Sequence, residues 1–396
     1  MSTPTATVVG GNFAGLATGI GLLRAGIPAN VYERQTLAGL QGAKGGIHLW
    51  PNALQALRVL DAADHVMDVS VEWQSAAMVT TSGRVMNEWP LHELKRELGL
   101  PVVLIQRRDL VRALAERLAE LDPDALRTGM TFASLQSDDA GVTARFESGE
   151  TVRADMLIGA DGQKSKVRAE VFGPWDLRPG GGPMIRGEAL IDGGSQMPER
   201  SLRVYYGHGY QMGLNRIDEH LFSWFLRTPT GTELPLDVDA LGAIVRGWAE
   251  PIEAVIAATP PEELKRVVLR DSDPPERWGD GRVSFAGDAA HPMLNSLSQG
   301  AAQALEDAAV LHLEAARDSQ DVPALLRRFE ARRLPRARDY VKRSRRMGDM
   351  GVWRNPVACA ARSAIMRTAG PMVWKQLVAT TRAGMEAMPA RETAPH

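Results

Sequence analysis

The sequence predicts an α/β fold in which a parallel sheet is interleaved with a second, mostly antiparallel sheet and closed by C-terminal helices. Three observations predict it. Apolar strand-like runs at 6–9 and 29–33 flank a glycine-rich turn and an amphipathic segment. Two later apolar runs, at 156–158 and 283–286, each end in a turn made of glycine and aspartate. Between them, from Met184 to about Asp273, the pattern turns strand-rich, and beyond the last turn it is helical.

The N-terminal unit comes first. Ala6 to Val9 reads as a buried parallel strand, followed by Gly10-Gly11-Asn12-Phe13-Ala14-Gly15 and an amphipathic segment, Leu16 to Ala25. Ala29 to Glu33 is a second strand ending in an acid, which completes a Rossmann-like βαβ layout. In such a unit Gly10 permits the tight turn, Gly15 lets helix and strand approach, and Glu33 is placed to bind a ribose hydroxyl. Asn12 stands where the middle glycine is expected; asparagine tolerates left-handed backbone better than most residues, so the turn survives. An ordinary strand–turn–helix is the alternative, and the acid at the strand end favours a dinucleotide site.

Further along, a helix is expected over Pro51 to Leu60, a hairpin over Ala76–Val79 and Arg84–Trp89 joined by Thr81-Ser82-Gly83, and a helix over Asp109 to Leu121 with Leu110, Leu114 and Leu118 on one face. Strands follow at Val142–Phe146 and Met156–Ile158. The latter runs into Asp161-Gly162, with Ser165 suited to cap the next helix. Arg168 on that helix's first turns opposes the helix dipole, so it needs a polar contact to Asp161 or to a ligand. Gly180-Gly181-Gly182-Pro183 reads as a crossing between domains, before strands at Ile185–Ile191, Leu202–Tyr206, Tyr210–Leu214 and Leu221–Phe225. After Gly287-Asp288 a small-residue loop leads to a helix opening at Gln299-Gly300-Ala301, whose exposed amides suit an electron-poor ring or an anion. The arginine-rich stretch Arg327 to Arg346 is expected as a solvated helix face, and residues beyond about Pro389 as frayed.

Composition sets the bounds. A chain of 396 residues, 44% hydrophobic and 24% charged, has ample core, and its length favours two domains over one. A net charge of −2 gives no reason to expect a nucleic acid or an anionic membrane as partner. The single cysteine, Cys359, excludes an internal disulfide and fits a reducing, cytoplasmic setting; a small buried apolar role suits it better than reactivity. No uncharged run long enough to span a membrane exists, no leader is evident, and no metal-spaced histidine set is present.

Taken in order, these segments resemble the class A flavoprotein monooxygenases, the family of para-hydroxybenzoate, salicylate and urate hydroxylases and of zeaxanthin epoxidase. The motifs are the turn at 10–15, DG at 161–162 with Ser165 and Arg168, and GDAAHP at 287–292 running to EDA at 306–308. Smaller matches are GGIHLWPNAL at 45–54, QRRDL at 106–110 and RSRRMGDMGVWRNP at 343–356. The resemblance spans nearly all of the chain. It implies an FAD-binding domain made of 1–70, 100–182 and 276–322, a substrate-binding sheet domain of 71–99 and 183–275, and a C-terminal helical segment, 323–396.

It also implies bound FAD, with NADH or NADPH as a transient co-substrate, since only one dinucleotide turn is present. Hydroxylation of an aromatic or conjugated molecule by O₂ through a flavin C4a-hydroperoxide would follow. Related outcomes are epoxidation, Baeyer–Villiger insertion or simple oxidation; a nucleotide-binding protein without turnover is the reading of another class. The implied cofactor residues are Gly10, Asn12, Phe13, Ala14, Gly15, Glu33, Asp161 and Asp288, with backbone amides from Ser298, Gln299, Gly300, Ala301 and Ala302 facing the flavin. Arg34 and Arg107 stand where the family uses residues near FAD, and equally read as surface ion pairs. His48 falls where the family's backbone passes the flavin; it is the sole catalytic candidate, and a structural role is the alternative. Substrate candidates are Gln211, Gly213, Phe222, Trp224, Pro292, Met293, Leu294 and Asn295.

The chain departs from the family at Asn295, Ser298 and Ala302, where proline, glycine and asparagine are usual. Gln211 replaces the arginine of urate-type enzymes. The expected cavity is mainly apolar and neutral-polar, suited to a phenol, heteroaromatic or polyketide-like ring rather than a strong anion. A monomer or homodimer is expected.

Overall fold

The computed structural model of the chain describes residues 3–42, 45–191, 195–273 and 275–389. Among them, a five-stranded parallel sheet runs in the order Val283–Phe285, Met156–Gly159, Ala6–Val9, Ala29–Glu33, Leu126–Thr128. The strands that carry the glycine–acid motifs are thus neighbours, and their C-terminal ends open on one edge. That edge is where a twisted parallel sheet binds ligands. Helices Phe13–Arg24 and Gly300–Arg317 pack on each other and on this sheet, with Leu16, Ile20, Leu305 and Ala309 fully buried between them.

The second sheet has seven strands, in the order Lys265–Asp271, Arg178–Leu190, Leu221–Arg227, Gln211–Arg216, Ser201–Tyr206, Ser75–Thr80, Val85–Pro90. All its pairings are antiparallel except Ser201–Tyr206 with Ser75–Thr80. One face packs on helices Val238–Val245 and Ile252–Ala257, over Phe222, Trp224 and Leu226. Two smaller antiparallel sheets, 132–154 and a set joining Gly46–Leu49, Val103–Gln106 and Val71–Glu72, sit against the parallel sheet and between the two large sheets.

The expected elements are present with shifted ends. The helix foreseen from Asp109 begins at Arg107, and that foreseen from Leu16 begins at Phe13. Two readings change. Gly180-Gly181-Gly182-Pro183 lies inside the long strand Arg178–Leu190, where the register shifts between Pro179 and Pro183. Gly181 and Gly182 have φ near +65° and +70°, so these glycines form a bulge in a continuous strand. The stretch read as sheet also contains the helices at 238–245 and 252–257, and a helix at Leu91–Leu98 follows the hairpin. Short amphipathic helices of eight residues or fewer leave too few turns for periodicity to separate them from strands.

The C-terminal helices are Val322–Gly351, Pro356–Thr368 and Gly370–Glu386. The first is not merely a solvated face: Leu325, Leu326, Phe329, Arg333 and Tyr340 are buried along it. The residues expected to fray, 390–396, lie outside the described ones. No helix among the described residues is long and apolar enough to cross a membrane.

Candidate active site

A cleft of about 460 Å³ follows the open edge of the parallel sheet. Its floor is the turn at Gly10. That residue has φ near +110°, and a Cβ there would lie 2.4 Å from the Ala160 carbonyl oxygen, so only glycine fits. At Gly15 a Cβ would come within 1.7 Å of the Gly10 oxygen, which is how closely helix and turn pack. Asn12 is extended (φ −80°, ψ 178°), not left-handed as its tolerance suggested. Its side-chain oxygen caps the helix by accepting from Phe13 N at 2.8 Å. Glu33, 6% exposed, accepts from Gly11 N at 2.7 Å and Gln35 N at 2.8 Å. A carboxylate so held has lone pairs left for a ribose diol at the cleft wall.

Around this floor the three glycine–acid turns converge. Phe13, Ala14, Arg34, Arg107, Asp161, Asp288 and Gly300 all line the cleft with Gly10, Asn12 and Glu33. Burial raises the Asp288 carboxyl above its usual range, against the opposing pull of His291 and Arg107. Arg107 stacks over Phe13 at 5.5 Å, and its buried Nε has no partner. Burial lowers its pKa while Asp288 opposes the shift. It is therefore not the surface ion pair that was the alternative. Arg34 is exposed at the rim.

Asp161 is divided in its duties. One oxygen accepts from Lys166 N at 2.8 Å and Val167 N at 3.2 Å, while the other is buried without a partner. Burial raises its pKa, and the contacts to Ser165 and the helix amides lower it. Ser165 caps the same helix by accepting from Arg168 N at 2.9 Å. Arg168 makes no hydrogen bond to Asp161, but the Asp161 charge opposes the burial that lowers its pKa. Its Nη1 donates instead to the Ala289 carbonyl at 2.8 Å, and the guanidinium stacks on Trp175 at 3.6 Å, so it ties the DG helix to the GDAAHP loop.

The helix Gly300–Arg317 starts with no side-chain cap, leaving its first-turn amides available at the cleft through Gly300. Gln299, Ala301 and Ala302 do not line the cleft, and Gln299 is 3% exposed inside the protein. Ser298 adopts φ +51°, the left-handed region that glycine would occupy without strain, and its amide closes a turn on Asn295 O at 3.0 Å. His48 lies outside the cleft lining, edge-on to Trp73 at 5.2 Å, with Nε2 enclosed and unpartnered; burial brings its pKa down to about 4. The imidazole is neutral at physiological pH.

A second cavity of about 430 Å³ lies over the free face of the seven-stranded sheet. A backbone hydrogen bond links the two linings: Arg107, in the cleft, donates its amide to the carbonyl of Gly45, on the cavity, at 2.9 Å. Strand parity decides what faces it. Phe222, Trp224 and Leu226 point into the buried cluster beneath the sheet, whereas Ser223 and Phe225 line the cavity with Met184, Arg186 and Asn215. Of the expected substrate residues, Trp224 and Asn295 border the cavity, and even the Trp224 indole is turned away, donating to Thr259 Oγ1 at 2.9 Å. Gly213 sits under the Phe225 ring, where a Cβ would meet Cε1 at 2.1 Å. Phe222, Met293, Leu294 and Pro292 are buried in packing and do not line it.

Gln211 lies further along the same strand face, buried against Arg227, to which its Oε1 is hydrogen-bonded. Arg227 is 2% exposed and also donates to Ser296 Oγ at 3.2 Å and Gly348 O at 3.2 Å. A cation thus stands beside the position where the sequence lacked one. The cavity is more charged than expected, because strands Arg178–Leu190 and Lys265–Asp271 add Arg186, Glu188 and Lys265 around its wall. The sequence announces the strand at Ile185–Ile191 but not the one at Lys265–Asp271, nor the register of Arg178–Leu190 against Leu221–Arg227. Arg186 pairs opposite Phe225, and that placement follows only from the folded sheet.

The cleft fits an FAD on its own geometry: a glycine-floored turn, a ribose-ready acid, and an uncapped helix end opposite. Comparison with known proteins agrees. A profile described as "FAD binding domain" matches residues 2–175 and 242–344. The chain is 33% identical over 371 residues to an aurachin C monooxygenase/isomerase of Stigmatella aurantiaca, covering 92% of this chain and 94% of that one. It is 34% identical over 365 residues to a 3-amino-4-hydroxybenzoate 2-monooxygenase of Streptomyces platensis, with 87% and 88% covered. Its structure matches that of Klebsiella pneumoniae HpxO, solved with FAD and uric acid, at a TM-score of 0.85 and 27% identity over 98% of both chains. The protein belongs to the FAD-binding family and, within it, to the class A flavoprotein monooxygenases, FAD-dependent oxidoreductases built on this α/β fold.

Proposed function

We propose that this enzyme uses NADH or NADPH and O₂ to add one oxygen atom to an aromatic or conjugated small molecule, releasing the other as water. The observation that carries this reading is the adjacency of a cofactor cleft and a substrate-sized cavity, whose linings are tied by the Arg107–Gly45 hydrogen bond. FAD in the cleft would supply the electron-storing and oxygen-activating chemistry. Gly10, Glu33, Asp288 and the opening of the helix at Gly300 would hold it.

The remaining work belongs to the chain. Phe225 and Met184 offer a flat apolar contact for a ring, and Asn215 and Ser223 offer hydrogen bonds at its edge. The Asn215 Nδ2 donates to Ser223 Oγ at 3.3 Å, and its Oδ1 is buried without a partner, an acceptor available to a substrate O–H or N–H. Residues lining the cavity must also shut out water, so that reducing equivalents reach the substrate. The proposed division of labour assigns 1–70, 100–182 and 276–322 to FAD, and 71–99 with 183–275 to the substrate.

The test is a panel of phenols, aminobenzoates and nitrogen heteroaromatics, following NAD(P)H consumption and product mass. A substrate yielding a product heavier by one oxygen atom, labelled from ¹⁸O₂, is expected. Ligand-stimulated NAD(P)H oxidation that yields only hydrogen peroxide across the panel would count against an aromatic substrate.

A further inference from the structure

Beneath the flavin loop lies a buried polar network that the cofactor contacts do not explain. Its centre is Arg333 on the helix Val322–Gly351, 2% exposed. Its guanidinium makes four hydrogen bonds. Nε donates to Asp307 Oδ1 at 2.7 Å and Nη1 to Glu306 Oε2 at 2.6 Å; Nη2 donates to Gln303 O at 3.1 Å and to Gln303 Oε1 at 2.8 Å. Glu306 and Asp307 are the two acids of the EDA motif, at 1% and 0% exposure. Burial alone would raise both pKa values. The neighbouring groups outweigh it, His291 and Arg333 for Asp307 and Arg333 with Arg336 for Glu306, so both carboxyls are held below their usual range.

Each acid reaches a different end of the loop between Gly287 and Gln299. Asp307 Oδ2 accepts from Gly287 N at 2.8 Å and lies 2.6 Å from His291 Nε2, which must donate to an ionised carboxylate. The loop's first residues are fixed by that contact. Glu306 Oε1 accepts from Asn52 Nδ2 at 2.6 Å, and the same amide donates to Gln299 Oε1 at 3.0 Å. The residue that opens the next helix is fixed by that relay. One guanidinium therefore bridges the two carboxylates that anchor the loop's start and its end.

We propose that Arg333 is a positioning residue for the flavin loop: through Asp307 and Glu306 it sets the spacing between the Gly287–Asp288 turn and the helix end at Gly300, and so the seat of the flavin. It touches neither cofactor nor substrate. Its fork geometry matters as much as its charge, because a lysine ammonium at this site has no planar fork to span both acids and the Gln303 carbonyl. The inference rests on FAD occupying the cleft.

The experiment uses holoenzyme carrying Arg333→Lys and Arg333→Met, with Glu314→Gln as comparison. Glu314 is also buried on the helix Gly300–Arg317 and paired to Arg328 and Arg332 of the same long helix, but it contacts nothing in the loop. FAD release is followed by flavin fluorescence on dilution, and the seat of the ring by the shape of the bound-flavin absorption band. Thermal unfolding with excess FAD reports stability. Arg333→Lys should weaken FAD binding about tenfold and Arg333→Met towards 100-fold, taking as the scale the roughly 10–100-fold losses seen when groups that orient metal ligands are removed. The absorption band should change in both. Glu314→Gln should lower stability while leaving FAD release and the band as in the wild type.

Two results would overturn the proposal. One is Arg333→Lys that loses stability yet keeps FAD affinity within twofold and an unaltered band. The other is Glu314→Gln that weakens FAD as much as Arg333→Lys, which would make the effect general loss of packing. Wild-type protein that takes up no FAD would instead remove the cofactor assignment on which the inference stands.

Discussion

The cofactor cleft and the substrate cavity are built from different material. The cleft is shaped largely by backbone: a glycine at φ +110°, another where an added Cβ would come within 1.7 Å of a carbonyl oxygen, two helix ends and strand-terminal acids. The cavity is shaped by side chains on one face of a sheet, among them Arg186, Asn215, Ser223 and Phe225. Backbone shape tolerates few replacements, because an added Cβ collides with main chain that cannot yield. Side chains on a sheet face can be exchanged while the strands keep their pairing. The same scaffold can therefore keep one cofactor and change substrates, which agrees with relatives that carry different substrate names.

The sharpest way to break this contrast is across one strand. Phe222 and Phe225 are three residues apart and point to opposite faces, Phe222 into the core at 1% exposure and Phe225 into the cavity. Phe222→Ala should destabilise the fold by about 3–5 kcal/mol, the usual cost of deleting a buried ring. Folded enzyme should keep its substrate preference. Phe225→Ala should cost less than half of that and shift KM several-fold. Urea unfolding and steady-state kinetics on both variants decide it; exchanged phenotypes would invert the assignment of faces.

The same strand shows why the two regions differ in legibility. Gly10, Gly15, Glu33, Asp161 and Asp288 could be read because each is tied to a local event, a turn or a strand end, that neighbouring residues announce. Phe222 and Trp224 are expected at the cavity, yet both side chains belong to the buried cluster beneath the sheet. The faces of a strand alternate, and a one-residue difference reverses inside and outside. In Leu221–Arg227, bulky residues occupy both faces, so hydrophobicity does not reveal the parity. Gln211 and Arg227 are adjacent only through cross-strand pairing, which no local pattern encodes. The two-ended anchoring by Arg333 was equally hidden, because the arginine lies on another helix 26 residues beyond Asp307. The EDA motif was legible as a motif and silent about its partner.

A second test sets affinity against stability inside the cleft. Burial raises the folded-state pKa of Asp288, so between its ordinary value and that raised value the folded apoprotein holds a proton that the unfolded chain has lost. Stability falls as pH rises through that window, and at neutral pH the carboxylate is a net cost to the apoprotein. Asp288→Asn should therefore leave apoprotein at pH 7 as stable as wild type or more so. FAD binding should fall about 10-fold to 100-fold, as expected for loss of a hydrogen bond to a charged group. Calorimetry of the apo forms and FAD titration separate the two. A large loss of apo stability would make Asp288 a structural residue and blur the distinction between the regions.

The smallest effect concerns His48, which lies on the strand Gly46–Leu49 and itself lines neither space. Its pKa is brought down from 6.5 to about 4 by burial, and Nε2 has no hydrogen-bond partner. The unfolded chain takes up a proton as pH drops through about 6.5, and the folded chain does so only near 4. The folded state consequently loses stability across that interval on acidification and is unaffected above it. Because the ring is only half-buried, solvent screening trims the full linkage, and a loss of roughly 1–2 kcal/mol between pH 7 and pH 4.5 is expected. His48→Gln should flatten this part of the stability curve while leaving values at pH 7.5 within experimental spread. Urea midpoints measured on both proteins across the interval provide the check. Parallel curves would mean that the imidazole titrates with solvent-like freedom, and that its surroundings beside Trp73 are wetter than their packing implies.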